Sequence, residues 1–305
     1  MLEATTIRNG IIEANPALSR FSPLPRILCY DDFDYGINGW CELLGNHDGD
    51  LEKVRPVQAD FRPPQISNCT FFDIGTHGAM NGNYALKLQT RPEPGHMALA
   101  LKRLTSVKPG LVQLETYFAV KSEAWIGKRG EEIDGNIDPS LGDFGDFCIS
   151  NDISNGDRRA HCCVRYVNCN AKGELVQKWQ AKTSLQVTSK LEWSGSASRA
   201  TDYHVRDPDD WQDIPDGQQA LCYNELPTKI NWHYLRWQFD TGTFRNVLLQ
   251  VNNKVMHLED VVVPEYERGF HQGLTNLMNL SVDVRTHSPV RNFIWFDSIL
   301  TSVDW

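Results

Sequence analysis

The chain has 305 residues, of which 41% are hydrophobic and 23% are charged, and this composition is typical of a folded globular protein rather than a disordered one. No run of about eighteen apolar residues occurs, so the sequence predicts no transmembrane helix. The net charge of −9 excludes the broad basic surface that general nucleic-acid binding requires. We therefore expect neither nucleic acid nor a membrane as a partner.

The N-terminal residues and the cysteine content both indicate the cytoplasm. Residues 1–10 lack the basic stretch and apolar core of a secretory signal. The eight cysteines are sparse for this length, and no Cys-x-x-Cys pair is present. We expect a cytoplasmic location, free thiols and no structural zinc site.

Alternation of apolar and polar residues with a period of two dominates the chain from about residue 28 onward, which is typical of β-strands. The strand candidates are Ala85–Thr90, Met97–Leu104, Leu111–Val120, Phe147–Asp152, Arg159–Asn168, Leu175–Ala181, His233–Asp240, Asn246–Val251, Met278–Thr286 and Phe293–Val303. Helical periodicity is nearly absent, apart from a short helix predicted within Glu265–Leu277. Many short strands without alternating helices predict an all-β fold, an antiparallel β-sandwich.

Two long stretches interrupt the strand pattern. Residues 127–145 are rich in Gly and Asp, and residues 184–229 are polar but carry Trp193 and Trp211. Long loops within a compact domain are commonly binding loops or lids, and aromatic residues favour an ordered lid. Because no Pro/Ser-rich linker divides the chain, we expect one domain over 1–305, with 1–27 as an N-terminal extension and 184–229 as a long loop or lid.

Three segments resemble the strands of concanavalin-like lectins and glucanases, a superfamily of jelly-roll β-sandwiches. They are Tyr30-Asp31-Asp32-Phe33-Asp34 with Gly39-Trp40, Asn231–Asp240 followed by Val247–Asn252, and Phe293–Ile299. The resemblance implies a concanavalin-like jelly roll and a carbohydrate ligand. It implies no active-site residues, because the Glu-x-Asp-x-x-Glu signature of the best-known glucanases is absent.

The polar faces of five predicted strands carry the candidate site. They are rich in Arg, His, Tyr, Gln, Asn and Asp and contain no lysine. Planar, preorganised donors of this kind suit the directed hydrogen bonds of sugar hydroxyls, whereas lysine is flexible and strongly hydrated. The alternative is an ordinary solvated or salt-bridged sheet surface, in which Arg faces Asp and Glu across strands.

Carboxylates and an imidazole on these faces are the candidate catalytic groups: Glu115, His161, Asp283 and Asp152. The candidate substrate-binding residues are Tyr117, Arg159, Arg165, Tyr234, Arg236, Gln238, Arg285 and Trp211. The four arginines favour an acidic ligand or an enolate intermediate.

The residues 134–138, Asp-Gly-Asn-Ile-Asp, offer oxygen ligands at alternate positions, as calcium sites do. Pro139 and Gly145 break the EF-hand pattern, and an Asx-rich turn explains the segment equally simply. We expect no required cofactor, with a structural calcium ion at 134–138 as the open alternative.

The leading hypothesis is an intracellular glycoside hydrolase or lyase that acts on an oligosaccharide or glycoside in a groove on the polar face of one sheet. The alternatives are a non-catalytic carbohydrate-binding protein and a protein-interaction domain. A homo-oligomer stays open on the sequence alone.

Overall fold

The computed structural model describes residues 2–41, 64–67, 79–123, 141–185, 210–222, 231–266 and 275–305. The helices within these ranges are α1 (Leu2–Ala14) and a 3-10 turn, Leu141–Asp143. The strands are β1 (Arg26–Asp31), β2 (Gln65–Ser67), β3 (Ala85–Gln89), β4 (Met97–Thr105), β5 (Leu111–Ser122), β6 (Asp146–Ser154), β7 (Arg159–Cys169), β8 (Leu175–Lys182), β9 (Trp211–Gln218), β10 (His233–Asp240), β11 (Arg245–Val251), β12 (Lys254–His257), β13 (Leu277–Arg285) and β14 (Asn292–Val303).

These strands form two antiparallel sheets. The eight-stranded sheet has the order β12-β11-β10-β5-β14-β3-β2, and β1 pairs with the second half of β14 beside β3. The six-stranded sheet has the order β4-β13-β6-β7-β8-β9. The predicted all-β, antiparallel sandwich is confirmed.

The inner faces of the two sheets meet in one continuous apolar cluster. Phe118 of the eight-stranded sheet lies 4.9 Å from Phe147 of the six-stranded sheet, measured between ring centroids. Phe147 also meets the edge of Trp179 at 5.6 Å. Because successive strand residues point to opposite faces, burying this set of side chains fixes the other set on the outer faces. The inward and outward residues predicted from the alternation are confirmed on β5, β6, β7, β10 and β13.

One buried carboxylate joins the two sheets at their side. Asp31 of β1 accepts a hydrogen bond from Trp40 Nε1 at 3.0 Å and forms an ion pair with Lys102 Nζ of β4 at 2.5 Å. Asp31 is 3% exposed, so its charge requires both partners.

The N-terminal segment, residues 2–25, contacts the outer face of the eight-stranded sheet through residues 20–24. The ring centroid of Phe21 lies 5.8 Å from that of Tyr117 and 6.3 Å from that of Tyr30, and both contacts are edge to face. Arg8 of α1 donates hydrogen bonds of 2.6–3.2 Å to the carbonyls of residues 23–25, which fixes the helix against the following chain. The alternation pattern leaves this segment outside the sandwich, but it does not predict the helix.

Two predictions about the loops need correction. Trp211–Gln218 forms edge strand β9, although the sequence predicts a loop over 184–229. Its buried positions are three residues apart, at Ile214 and Gly217, so the period-two pattern is absent. Leu277 begins β13 rather than ending a helix. The remainder of that predicted helix (267–274), most of the predicted lid (186–209 and 223–230) and the predicted calcium loop (134–138) lie outside the described residues.

Every cysteine in the described ranges is a free thiol, as predicted. Cys162 faces the core and its neighbour Cys163 faces outward, because they are consecutive residues of one strand. No helix among the described residues is both long and apolar enough to cross a membrane.

Trp237 provides a test of the shared core. Its ring is fully buried beside Phe239, and its Nε1 donates to Asn246 Oδ1 at 3.0 Å. We expect Trp237→Ala to lower the free energy of unfolding by about 3–5 kcal/mol, measured by denaturant titration. The control is Tyr35→Ala, because Tyr35 is 94% exposed. This substitution should change the free energy of unfolding by less than about 0.5 kcal/mol. Equal changes in the free energy of unfolding for the two variants would contradict the placement of Trp237 in the shared core.

Candidate functional site

The predicted site residues divide between the two sheets. His161, Asp283, Asp152, Arg159, Arg165, Arg285 and Trp211 lie on the six-stranded sheet, and Glu115, Tyr117, Tyr234, Arg236 and Gln238 lie on the eight-stranded sheet. Both sets point away from the shared core, so they face opposite sides of the sandwich. The expectation that one groove holds all of them is therefore wrong. Alternation assigns a face to each residue but does not assign strands to sheets.

Glu115 is completely buried and fastens the N-terminal segment to the eight-stranded sheet. Its Oε1 accepts hydrogen bonds from the Ser22 backbone N–H at 2.9 Å and from the Tyr234 hydroxyl at 2.6 Å. Its Oε2 accepts a bond of 2.8 Å from Gln113 Nε2. Burial, and next the charge of Glu115, raise the pKa of Tyr234, which keeps its hydroxyl protonated as the donor.

Two neighbouring predicted binding residues of this face, Tyr117 and Gln238, are also engaged within the protein, whereas Arg236 Nε is buried without a hydrogen-bond partner in the described ranges. Tyr117 lies beneath Phe21 and has the Arg20 guanidinium 5.8 Å from its ring centroid. Gln238 donates to Gln113 Oε1 at 2.6 Å. Contacts to the N-terminal segment and between neighbouring strands therefore account for this part of the face without a ligand.

The outer face of the six-stranded sheet has a centre of small polar side chains. The register places Ser281 opposite Ser150 and Ser150 opposite Cys163, across β13, β6 and β7. The two serine hydroxyls are 2.5 Å apart. Longer polar side chains surround this centre, among them His161 and Asp283, and these positions are largely buried.

At one end of this face, Arg159 forms a bidentate ion pair with Asp152. Its Nε donates to Oδ1 at 2.7 Å, and its Nη2 donates to Oδ2. The Arg159 guanidinium also lies 4.5 Å from the ring centroid of Tyr266, on which His161 stacks at 6.1 Å. Asp152 is thus committed to holding Arg159.

At the other end, Arg165 lies on the indole ring of Trp211, with its central carbon 4.2 Å from the ring centroid. Arg165 Nε donates to Gln180 Oε1 at 2.8 Å. Gln180 donates in turn to Asp213 Oδ1 at 2.7 Å, and Asp213 also binds Lys178 at 2.8 Å. This chain of contacts fixes the plane and direction of the guanidinium.

A buried ion pair lies next to the ring of Trp211. Lys182 Nζ lies 3.6 Å from Asp210 Oδ2, and both side chains are almost completely buried. Asp210 Oδ1 accepts a hydrogen bond of 2.5 Å from the Ser184 hydroxyl. Residue 210 directly precedes Trp211, so this pair anchors the start of β9.

Arg165 and Arg285 each form no ion pair in the described part of the chain. Burial lowers the pKa of Arg165, the charge of Asp146 is the strongest electrostatic influence against this shift, and the like charge of Arg285 adds to the lowering more weakly. Asp146, which lies opposite Arg285 across β13 and β6, pairs instead with His287 Nε2 at 2.8 Å. Among the described residues, the surroundings of Arg165 therefore lack a counterion in direct contact.

Several residues of this face were not predicted from the sequence. Gln180 and Lys182 are visible in the alternation of β8, a predicted strand that contributes none of the predicted site residues. The serine pair has no signal apart from its position on polar faces. Tyr266 and Asp210 come from irregular segments, and only the folded arrangement brings them to the sheet.

Within the described ranges, no group of three or more His, Cys, Asp or Glu side chains is arranged to hold a metal ion. The outer face of the six-stranded sheet presents hydroxyl groups, aromatic rings and the guanidinium of Arg165 to a ligand.

The model of one protein family, described as "Domain of unknown function (DUF6772)", matches residues 8–305. The chain belongs to this family. A search of the curated proteins finds no match.

Solved structures similar to this DUF6772 chain have low sequence identity. The cellulose-induced protein Cip1 is 14% identical, with 90% of this chain and 96% of that chain covered and a TM-score of 0.39. The carbohydrate recognition domain of Emp47p is 9% identical, with coverages of 93% and 100% and a TM-score of 0.39. The lectin UEA-II in complex with galactose is 7% identical, with coverages of 91% and 100% and a TM-score of 0.38. No residue role is transferred from these proteins.

Glu115 provides a test of the division between the two faces. We expect Glu115→Ala to lower the free energy of unfolding by about 1–3 kcal/mol, because three donors lose their acceptor. Limited proteolysis should also cut faster between residues 2 and 25 in this variant. The half-exposed Glu123, which pairs with Arg291, is the matched control, and Glu123→Ala should change neither property appreciably. Unchanged stability and unchanged cleavage in Glu115→Ala would contradict the fastening role.

Proposed function

We propose that this protein binds a carbohydrate on the outer face of the six-stranded sheet. The observation that carries this proposal is the Arg165–Trp211 pair, a guanidinium 4.2 Å from the centroid of an indole ring, next to a centre of small hydroxyl side chains. Sugars require directed hydrogen bonds for their hydroxyl groups and apolar contact for their ring faces. Fixed planar donors and aromatic rings supply both.

The positions of the predicted catalytic groups favour binding over hydrolysis. Glu115 lies on the other sheet, and Asp152 is held by Arg159. Asp152 lies opposite Asn279 on β13, and Asp283 is four residues further along that strand, which separates the two positions by about 13 Å. Glycoside hydrolases require two carboxylates about 5–9.5 Å apart.

A glycoside hydrolase or lyase is the second candidate, and one pair of side chains supports it. Asp146 and Asp283 are diagonal neighbours across β6 and β13, a relation that places Cα atoms about 7–8 Å apart. This spacing is compatible with a catalytic pair, although Asp146 also binds His287.

A panel of neutral and acidic oligosaccharides tests the proposed binding function by calorimetry. For a bound sugar, we expect Arg165→Ala to weaken affinity by about 10–100-fold, because a fixed charged donor is lost. Arg245 is exposed at the start of β11 in the other sheet, and Arg245→Ala should bind normally. Melting temperatures of both variants control for folding.

The same panel, analysed by product chromatography, separates the two candidate functions. Binding without product from any sugar supports a carbohydrate-binding protein. Turnover that falls by about 10²–10⁴-fold in Asp283→Asn supports the enzyme. Absence of binding and of turnover across the whole panel would contradict both and favour a protein-interaction domain.

A further inference from the structure

Arg165 has its two terminal nitrogens available for a ligand. Its Nε is used by Gln180, and one face of its guanidinium is covered by Trp211. The terminal nitrogens, Nη1 and Nη2, have no hydrogen-bond partner in the part of the chain that the structure describes. They form the end of the planar fork that binds carboxylate and sulfate groups through two parallel hydrogen bonds.

The partners that orient Arg165 are neutral groups. Gln180 and Trp211 fix its direction without compensating its charge. Three other cations on this face are paired with carboxylates: Arg159 with Asp152, Lys178 with Asp213 and Lys182 with Asp210. Arg165 is partly buried, and Asp146 and Asp213 act on its charge without contacting it. An anion bound directly to the guanidinium would gain charge-assisted hydrogen bonds.

Arg285 reinforces the positive potential at this position. It lies two strands away from Arg165, on the far side of β6, and it likewise forms no ion pair in the described ranges. Two like charges separated by about 10 Å repel each other when they are partly shielded from water. The chain as a whole carries a net charge of −9, so this arrangement is a local departure from its general charge.

We propose that the carbohydrate bound by this face is acidic, and that its carboxylate or sulfate group binds Nη1 and Nη2 of Arg165. This inference rests on the proposed function and specifies the class of sugar. Trp211 and Gln180 act as positioning residues, because they hold the guanidinium in the plane in which both terminal nitrogens donate to one anionic group.

The experiment compares uronate oligosaccharides with their methyl esters by calorimetry. Esterification removes the charge and preserves the sugar, the linkage and nearly the whole size. Oligosaccharides of glucuronate, galacturonate and mannuronate form the carboxylate arm, and sulfated galacto-oligosaccharides form the sulfate arm. We expect at least one acidic oligosaccharide to bind at least tenfold more tightly than its uncharged counterpart. Added salt should weaken binding of the acidic form and leave the neutral form unaffected.

Two substitutions at one position assign the preference to the Arg165 fork. Arg165→Gln removes the charge, and Arg165→Lys keeps the charge but removes the fork and the flat stacking surface. We expect both to reduce the acid-over-ester ratio at least fivefold, while Arg245→Gln leaves it unchanged. Trp211→Phe, which retains an aromatic ring, should preserve most of the preference and also reports on folding.

The outcomes separate this inference from the proposed function. Equal affinity for acids and esters, or an acid preference that persists in both Arg165 variants, would overturn the inference while leaving carbohydrate binding intact. Binding of neutral sugars alone has the same consequence. Absence of binding to every acidic and neutral sugar would overturn the proposed function, and the inference with it.

Discussion

A β-strand can bury only every second side chain in a two-layer sandwich, and this constraint organises the whole molecule. The inward residues of both sheets form one apolar cluster in which Phe118, Phe147 and Trp179 interlock across the interface. Their burial leaves each alternate residue on an outer face. The protein therefore has two separate polar surfaces whose composition is independent of the core.

The two outer faces use similar residue types for different purposes. On the eight-stranded sheet, Glu115 has hydrogen bonds to both carboxylate oxygens, and the N-terminal segment covers Tyr117. On the six-stranded sheet, Arg165 is oriented by neighbours, yet within the described ranges its terminal nitrogens keep their donors for a ligand. An oriented guanidinium with both terminal nitrogens available can bind an anionic group through two parallel hydrogen bonds, and this is why we place the ligand at Arg165. Charge and residue type alone do not reveal this difference.

The sequence predicts the sandwich and most of its strands because their period-two pattern reflects a strong physical requirement. It predicts the face of Trp237 and of Arg165 for the same reason. It does not predict which strands are neighbours, because strand order depends on long-range pairing. Glu115 and His161 both occupy polar positions of alternating strands, yet they lie on opposite sides of the sandwich.

Two of the elements that the sequence does not predict, β9 and α1, have weak local patterns. The strand β9 contains Pro215, Gly217 and acidic residues that do not alternate with apolar ones, and its pairing with β8 supplies the structure. The helix α1 has little helical periodicity over Leu2–Ala14, and contacts such as those of Arg8 hold it in place. In both cases, contacts with distant parts of the chain stabilise the element.

A crystal structure of the protein with the most tightly bound oligosaccharide of the panel tests the central claim most directly. The account predicts that the sugar lies on the outer face of the six-stranded sheet, with an anionic group bound by both terminal nitrogens of Arg165 and the Trp211 ring still beneath the guanidinium. A sugar bound to the outer face of the eight-stranded sheet, near Glu115 and Arg236, would contradict it.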